Sequence, residues 1–171
     1  MLGDRMERFG LTLEKEKSRL IEFGRYDVSN SRNRGEGKPE TFTFLGFTHY
    51  CSHGRNGQFR VKRKTSKKKF NKKAKEMDEL IRKMTVEWGL PIKEITDKLN
   101  QILVGYYHYY GITDNSEMLG KFKNKVSHLL YKWLNRRSQR RSLTWRGFYD
   151  LLKEFPLKAP HIYSSIYGDI Q

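Results

Sequence analysis

At Thr65 the hydrophobic period of this chain changes. Upstream, TFTFLGFTHY (41–50) places Phe42 and Phe44, with Gly46, on one side and Leu45 and Phe47 on the other. After CSHGRNGQ, the stretch FRVKRK alternates Phe59 and Val61 with Arg60 and Lys62. A period of two on both sides of a glycine-bearing turn predicts a β-hairpin. Downstream, Phe70, Ala74, Met77, Ile81, Met84 and Trp88 recur at spacings of three and four. That stripe predicts an amphipathic helix whose other faces carry Lys67, Lys68, Lys72 and Lys73.

The remaining segments extend this layout. Residues 2–9 read as a short helix stopped by Gly10, and Leu11/Leu13 with Leu20/Ile21/Phe23 suggest a β-pair around the turn EKEK. Residues 24–40, rich in Gly, Asn and Ser, read as a mobile loop. Gly89 and Pro91 end the first long helix. Ile95, Leu99, Ile102, Val104 and Tyr106 predict a second. Asn115 or Ser116 can cap a third, with Leu119, Phe122, Val126, Leu129, Leu130 and Trp133 inward. A fourth runs from Trp145 to Phe155, closed off by Pro156 and Pro160. The fold class expected is α+β, with a small hairpin-containing part over 1–64 and a mainly α-helical bundle over 65–171.

Charge is the second constraint. The 171 residues hold 35 Lys and Arg against 19 Asp and Glu, a formal +16. Thr41–Lys75 carries eleven cations and Met118–Tyr149 nine, and neither window contains an acid. Between them, Glu76–Glu117 has eight acids and four bases. Cations gathered this way repel one another until a polyanion arrives, and nucleic acid is the expected partner. A single cysteine, Cys51, excludes an internal disulfide and points to a reducing compartment. The N-terminus has no apolar leader core and no apolar run is long enough to cross a membrane, so no membrane partner is expected.

No catalytic constellation is visible. There is no Asp-Asp dipeptide, no phosphate-binding glycine loop and no nucleophile motif. Asp78 and Glu79 read as a solvated helix face. His49, Cys51 and His53 alternate onto one strand face, but a fourth ligand is lacking and the spacing is not that of a zinc finger. Ordinary hairpin residues are the favoured reading, and no metal site is assigned. In GYYHYYG, Tyr106, Tyr109 and Tyr110 fit a buried stripe, which leaves Tyr107 and His108 as candidates for stacking on a base. The candidate phosphate contacts are Lys62, Arg63, Lys64, Lys67, Lys68 and Lys72 in the first window. In the second they are Lys121, Lys125 and the pairs Arg136–Arg137 and Arg140–Arg141, whose guanidinium forks suit phosphate. Trp133 and Trp145 bracket the arginines and would anchor their helix while the guanidinium groups project.

Five phrases occurring in order carry a resemblance: RMERFGLTLEKEKSRLIEFGR, TFTFLGFTHY, VKRKTSKKKF, LVGYYHYYGI and LNRRSQRRSLTW. From about Leu2 to Pro160 the chain resembles the C-terminal part of bacterial group II intron reverse transcriptase/maturases. The resemblance implies that residues 2–23, with Lys17, end a polymerase palm, and that Phe44–Phe47 belong to the last reverse-transcriptase block. It implies a helical thumb, or domain X, from Thr65 onward. That thumb would bind intron RNA to help it fold and splice, and would grip an RNA/DNA template–primer duplex in the intact enzyme. The fingers, most of the palm with its Asp-Asp strand, and any HNH endonuclease are not in this sequence. No cofactor is therefore expected here, Mg2+ belonging only to an intact polymerase. The alternatives are a polymerase subunit working beside a separate polypeptide that carries fingers and palm, or a decayed fragment. The resemblance further implies a bacterial cytoplasmic location.

Overall fold

Sheet gives way to helix where the hydrophobic period changes. The computed structural model describes residues 2–12, 14, 18, 20–35, 39–54, 56–137 and 142–165. In chain order the elements are α1 (Leu2–Glu7), α2 (Asp27–Asn33), β1 (Phe42–Phe44), β2 (Phe47–His53), β3 (Phe59–Thr65), α3 (Lys67–Arg82), α4 (Ile92–Tyr110), α5 (Ser116–Arg137) and α6 (Trp145–Glu154). One π-helical turn, Lys83–Glu87, follows α3, and one 3-10 turn, Thr113–Asn115, precedes α5. The strands form one antiparallel sheet in the order β1–β2–β3, and the class is α+β.

The chain divides into two compact units. One comprises residues 1–42 and 49–62; the other comprises 43–48 and 63–171. In the first, α1 stops at Gly10, whose φ of 69° only glycine adopts without cost. Two expectations fail here. Leu11, Leu20, Ile21 and Phe23 of the expected β-pair lie in no strand, while Leu13 and most of the EKEK turn (15–17) lie outside the described residues. The supposed mobile loop contains α2, because its polar side chains find local partners. Asp27 is buried at the helix start, with the Ser31 hydroxyl 3.4 Å from its Oδ1. Asn30 and Arg34 both bond Glu22, which holds that carboxyl below its ordinary value. Turn-forming residue types close a helix once each has such a partner.

TFTFLGFTHY is two strands and not one. Leu45 (φ 47°) and Gly46 (φ 82°) turn the chain in the left-handed region, as a two-residue hairpin demands. Ser66 caps α3, its hydroxyl oxygen accepting from the Lys69 amide. The core gathers Met77, Ile81 and Met84, then Ile95, Leu99, Leu103, Tyr106 and Tyr107. Leu119, Phe122, Val126 and Leu130 from α5 and Phe148 from α6 complete it. Each such side chain contributes about 1.5–3 kcal/mol by leaving water. After Ile95 and Leu99 the buried face of α4 continues through Leu103 and not Val104, which is half-buried.

Asn115, immediately before α5, joins separate segments through its side chain. Its side chain accepts from the Thr65 amide (2.7 Å) and donates to the Thr65 hydroxyl (2.8 Å) and the Tyr110 carbonyl (2.9 Å). The C-terminal stretch after α6 lies along α4. Asn100 bonds the Pro156 carbonyl and the Lys158 amide, and the Gly111 carbonyl accepts from Tyr163 and Ser164.

Candidate nucleic-acid interface

α3 begins on the lysine-rich end of its sequence, so its first turns carry cations on every face the core does not claim. Lys67, Lys68 and Lys72 are exposed there, and Lys64 is exposed at the end of β3. Lys62 and Arg63 are half-buried within β3. On α5, Lys125 is exposed, while Lys121 pairs with Glu117 one turn earlier at 2.5 Å. That bridge holds the Glu117 carboxyl below its ordinary value, with Lys64 adding to the effect. A solvent-exposed bridge of this type is weak, so Lys121 can exchange its partner for a phosphate.

The arginines divide. Arg136 is exposed with its guanidinium 5.1 Å from the centre of the Trp133 ring. Arg137 does not simply project: it donates to the Leu90 carbonyl (3.0 Å) and the Gly89 carbonyl (3.1 Å), closing the loop between α3 and α4. Arg140 and Arg141 lie outside the described residues.

Trp133 does anchor α5, through a residue expected on a solvated face. Its indole N–H donates to Asp78 Oδ1 at 2.5 Å, and Lys132 reaches the same carboxylate at 3.0 Å. Burial alone would raise the Asp78 pKa. The Trp133 and Lys132 hydrogen bonds and the charges of Lys132 and Lys125 outweigh it and hold the pKa low. Trp145 stacks on Tyr131 at 3.8 Å.

The tyrosine run is redistributed relative to the expectation. Tyr107 is 1 % exposed and its hydroxyl donates to the Lys158 carbonyl, so it is a core residue and presents no face to a base. Its side chain continues the Leu99–Leu103 face, which a stripe of 106, 109 and 110 cannot include. Tyr109 is the exposed one, at 57 %. His108 is exposed and stacks on Tyr163 at 3.8 Å. In the first unit His49 stacks on Phe42, and burial pushes the Cys51 thiol above its ordinary value. Among the described residues no cluster of His, Cys, Asp and Glu could hold a metal ion.

A cleft of about 730 Å³ opens in the second unit. Leu45 and Gly46 of the hairpin turn form one wall, and Lys69, Lys72, Lys73 and Glu76 of α3 a second. Ile102, Gly105 and three tyrosines of α4 complete it. Sequence reasoning passed over Lys69, Tyr109 and Gly105; a glycine in mid-helix was the signal that could have found this place.

Residues 74–149 match the model of the group II intron, maturase-specific domain family. Over these residues the chain is similar to the group II intron maturase-specific domain. The matched segment takes in most of α3, all of α4 and α5, and the start of α6. It includes Lys125, Arg136, Arg137 and the α4 wall of the cleft, while Lys67, Lys68 and Lys72 lie just before it. No curated protein and no solved structure matches the chain. Among the described residues no helix is long and apolar enough to cross a membrane.

Proposed function

We propose that this chain binds structured group II intron RNA, chiefly through backbone phosphates, and thereby assists the folding on which splicing depends. The observation that carries this is the overlap of the maturase-specific match with helices that carry exposed cations. α3 offers Lys67, Lys68 and Lys72, and α5 offers Lys125 and Arg136. On the same reading residues 1–64 end a polymerase palm and 65–171 form a thumb that grips template–primer in an intact enzyme.

Binding of the chain to a group II intron transcript, titrated across salt concentrations, tests the proposal. Replacing Lys67, Lys68 and Lys72 by Gln is expected to flatten the log–log salt dependence. Each phosphate that is no longer neutralised should take away roughly 0.7–0.9 of slope. An unchanged slope would take α3 out of the interface. Failure of the protein to raise the yield of spliced RNA would leave binding without the maturase role.

A further inference from the structure

Gly105 sits well inside α4, where glycine costs roughly 1 kcal/mol relative to alanine. Close packing does not explain it, because a Cβ at this position would meet nothing within 4 Å. Nor does backbone conformation, since its φ is not in the left-handed region. What its missing side chain does is keep the cleft open along α4. The cleft's volume of about 730 Å³ falls in the range of small-ligand sites, about 300–1,000 Å³.

One turn along the helix, Tyr109 lines the same cleft. Its hydroxyl donates to the Leu45 carbonyl at 3.0 Å, and its ring lies nearly parallel to Phe47 and edge-on to Tyr110 at 4.7 Å. A ring held at three points yet more than half exposed offers a fixed aromatic surface at little entropic cost. Across from it, the Lys69 and Lys72 ammonium groups meet no carboxylate among the described residues, whereas Lys73 is paired with Glu76 at 3.0 Å. The rim therefore carries two cations left over after the one acid is matched.

We propose that this cleft receives a single unpaired nucleotide of a bound RNA, its base against Tyr109 over Gly105 and its phosphates on Lys69 and Lys72. Stacking accepts any base, so the site selects an unpaired position and not a sequence. The inference rests on the RNA-binding reading above. It assigns to the cleft a recognition that phosphate contacts by exposed lysines cannot supply.

Fluorescence anisotropy with the full chain tests it, using a fully paired RNA hairpin, the same hairpin with one unpaired adenosine, and that bulge made abasic. The chain is expected to bind the bulged hairpin about tenfold more tightly than the paired and abasic ones, the scale of one stacked base. Gly105→Leu, which fills the cleft, should abolish that preference and, being a better helix former, should not lower the thermal melt. Lys69→Gln with Lys72→Gln should lower the preference without touching the α4 wall. A bulge preference absent from the native chain, or retained in both variants, overturns the proposal while leaving general RNA binding standing. Loss of all hairpin binding by the native chain would overturn both. AMP alone binding as tightly as the bulged hairpin would assign the cleft to a free nucleotide and overturn its role in RNA.

Discussion

Asn115 shows how much one polar side chain can decide. It is fully buried and satisfies three groups drawn from the end of β3 and the end of α4. Asn115→Ala would leave the buried Thr65 amide without its acceptor and the Thr65 hydroxyl without its Asn115 donor, while the Tyr110 carbonyl keeps the Ile112 amide as a donor. The expected cost is about 2–4 kcal/mol, because an unsatisfied buried group loses its full desolvation penalty. A circular-dichroism melt should show a fall of roughly 5–15 °C for a domain of this size. The arginines make a second test at this scale. Arg137 bonds carbonyls 47 and 48 residues away, whereas Arg136 rests on its own helix's Trp133. Arg137→Ala is expected to lower stability by about 1 kcal/mol, the net worth of an exposed hydrogen-bonded pair, and Arg136→Ala to leave the melt unmoved. RNA binding should report the reverse for Arg136, with the salt slope reduced. A sequence displays a guanidinium as a cation. It does not display the partners that folding brings, and so four adjacent arginines looked equivalent when the two described ones are not.

The helices were legible wherever 3.6-residue winding continued unbroken. The stripe through Ala74, Met77, Ile81 and Met84 is buried as its spacing requires, and Leu119, Phe122, Val126 and Leu130 likewise. It failed at Trp88, which is 54 % exposed. The cause lies in the π-helical turn Lys83–Glu87, where the Trp88 amide bonds the Lys83 carbonyl and the Leu90 amide the Met84 carbonyl. Thr85, buried, adds its hydroxyl to the Ile81 carbonyl at 2.6 Å. Wider winding inserts an extra residue into the turn and swings the next side chain off the core face. The spacing rule assumes a constant turn, so the tryptophan seemed inward. Met84→Ala is accordingly expected to cost about 2–5 kcal/mol, and the larger truncation Trp88→Ala less than about 1 kcal/mol. Urea titrations of both variants would decide the order, and a costlier Trp88→Ala would contradict the π-turn geometry. Hairpin strands were legible by their alternation, but the tight turn at Leu45–Gly46 was not. Its reason is a contact 64 residues distant, the Tyr110 hydroxyl 2.9 Å from where a Gly46 Cβ would stand.

At the scale of the molecule, composition foretold a cationic protein with an aromatic core, and the fold class followed from one change of period. What composition could not show is how unequal the tyrosines are. Burial pushes the Tyr106 pKa up to about 12, an effect Thr65 only partly offsets, and burial beside Tyr106 drives Tyr107 higher still. Among the described residues the buried Tyr106 hydroxyl also has no properly placed hydrogen-bond partner. The sign follows from linkage. A phenol whose pKa is raised on folding contributes stability that is complete below the unfolded value, 10.0, and is lost as pH climbs through about 12. Melting temperature should therefore hold up to about pH 10 and then fall, with the buried phenols ionising late by their absorbance. Lysine deprotonation occurs over the same range and also alters the self-repulsion of a +16 chain, so the native protein alone cannot isolate the cause. Tyr106→Phe can: it keeps the ring that stacks on Phe122 at 3.9 Å and removes both the ionisable proton and the unpartnered oxygen. The variant should be no less stable at neutral pH and should lose stability more slowly above pH 10, every lysine being unchanged. A variant whose alkaline limb overlays that of the native chain would mean that the Tyr106 phenol does not set the limit, which then falls to Tyr107 and the lysines.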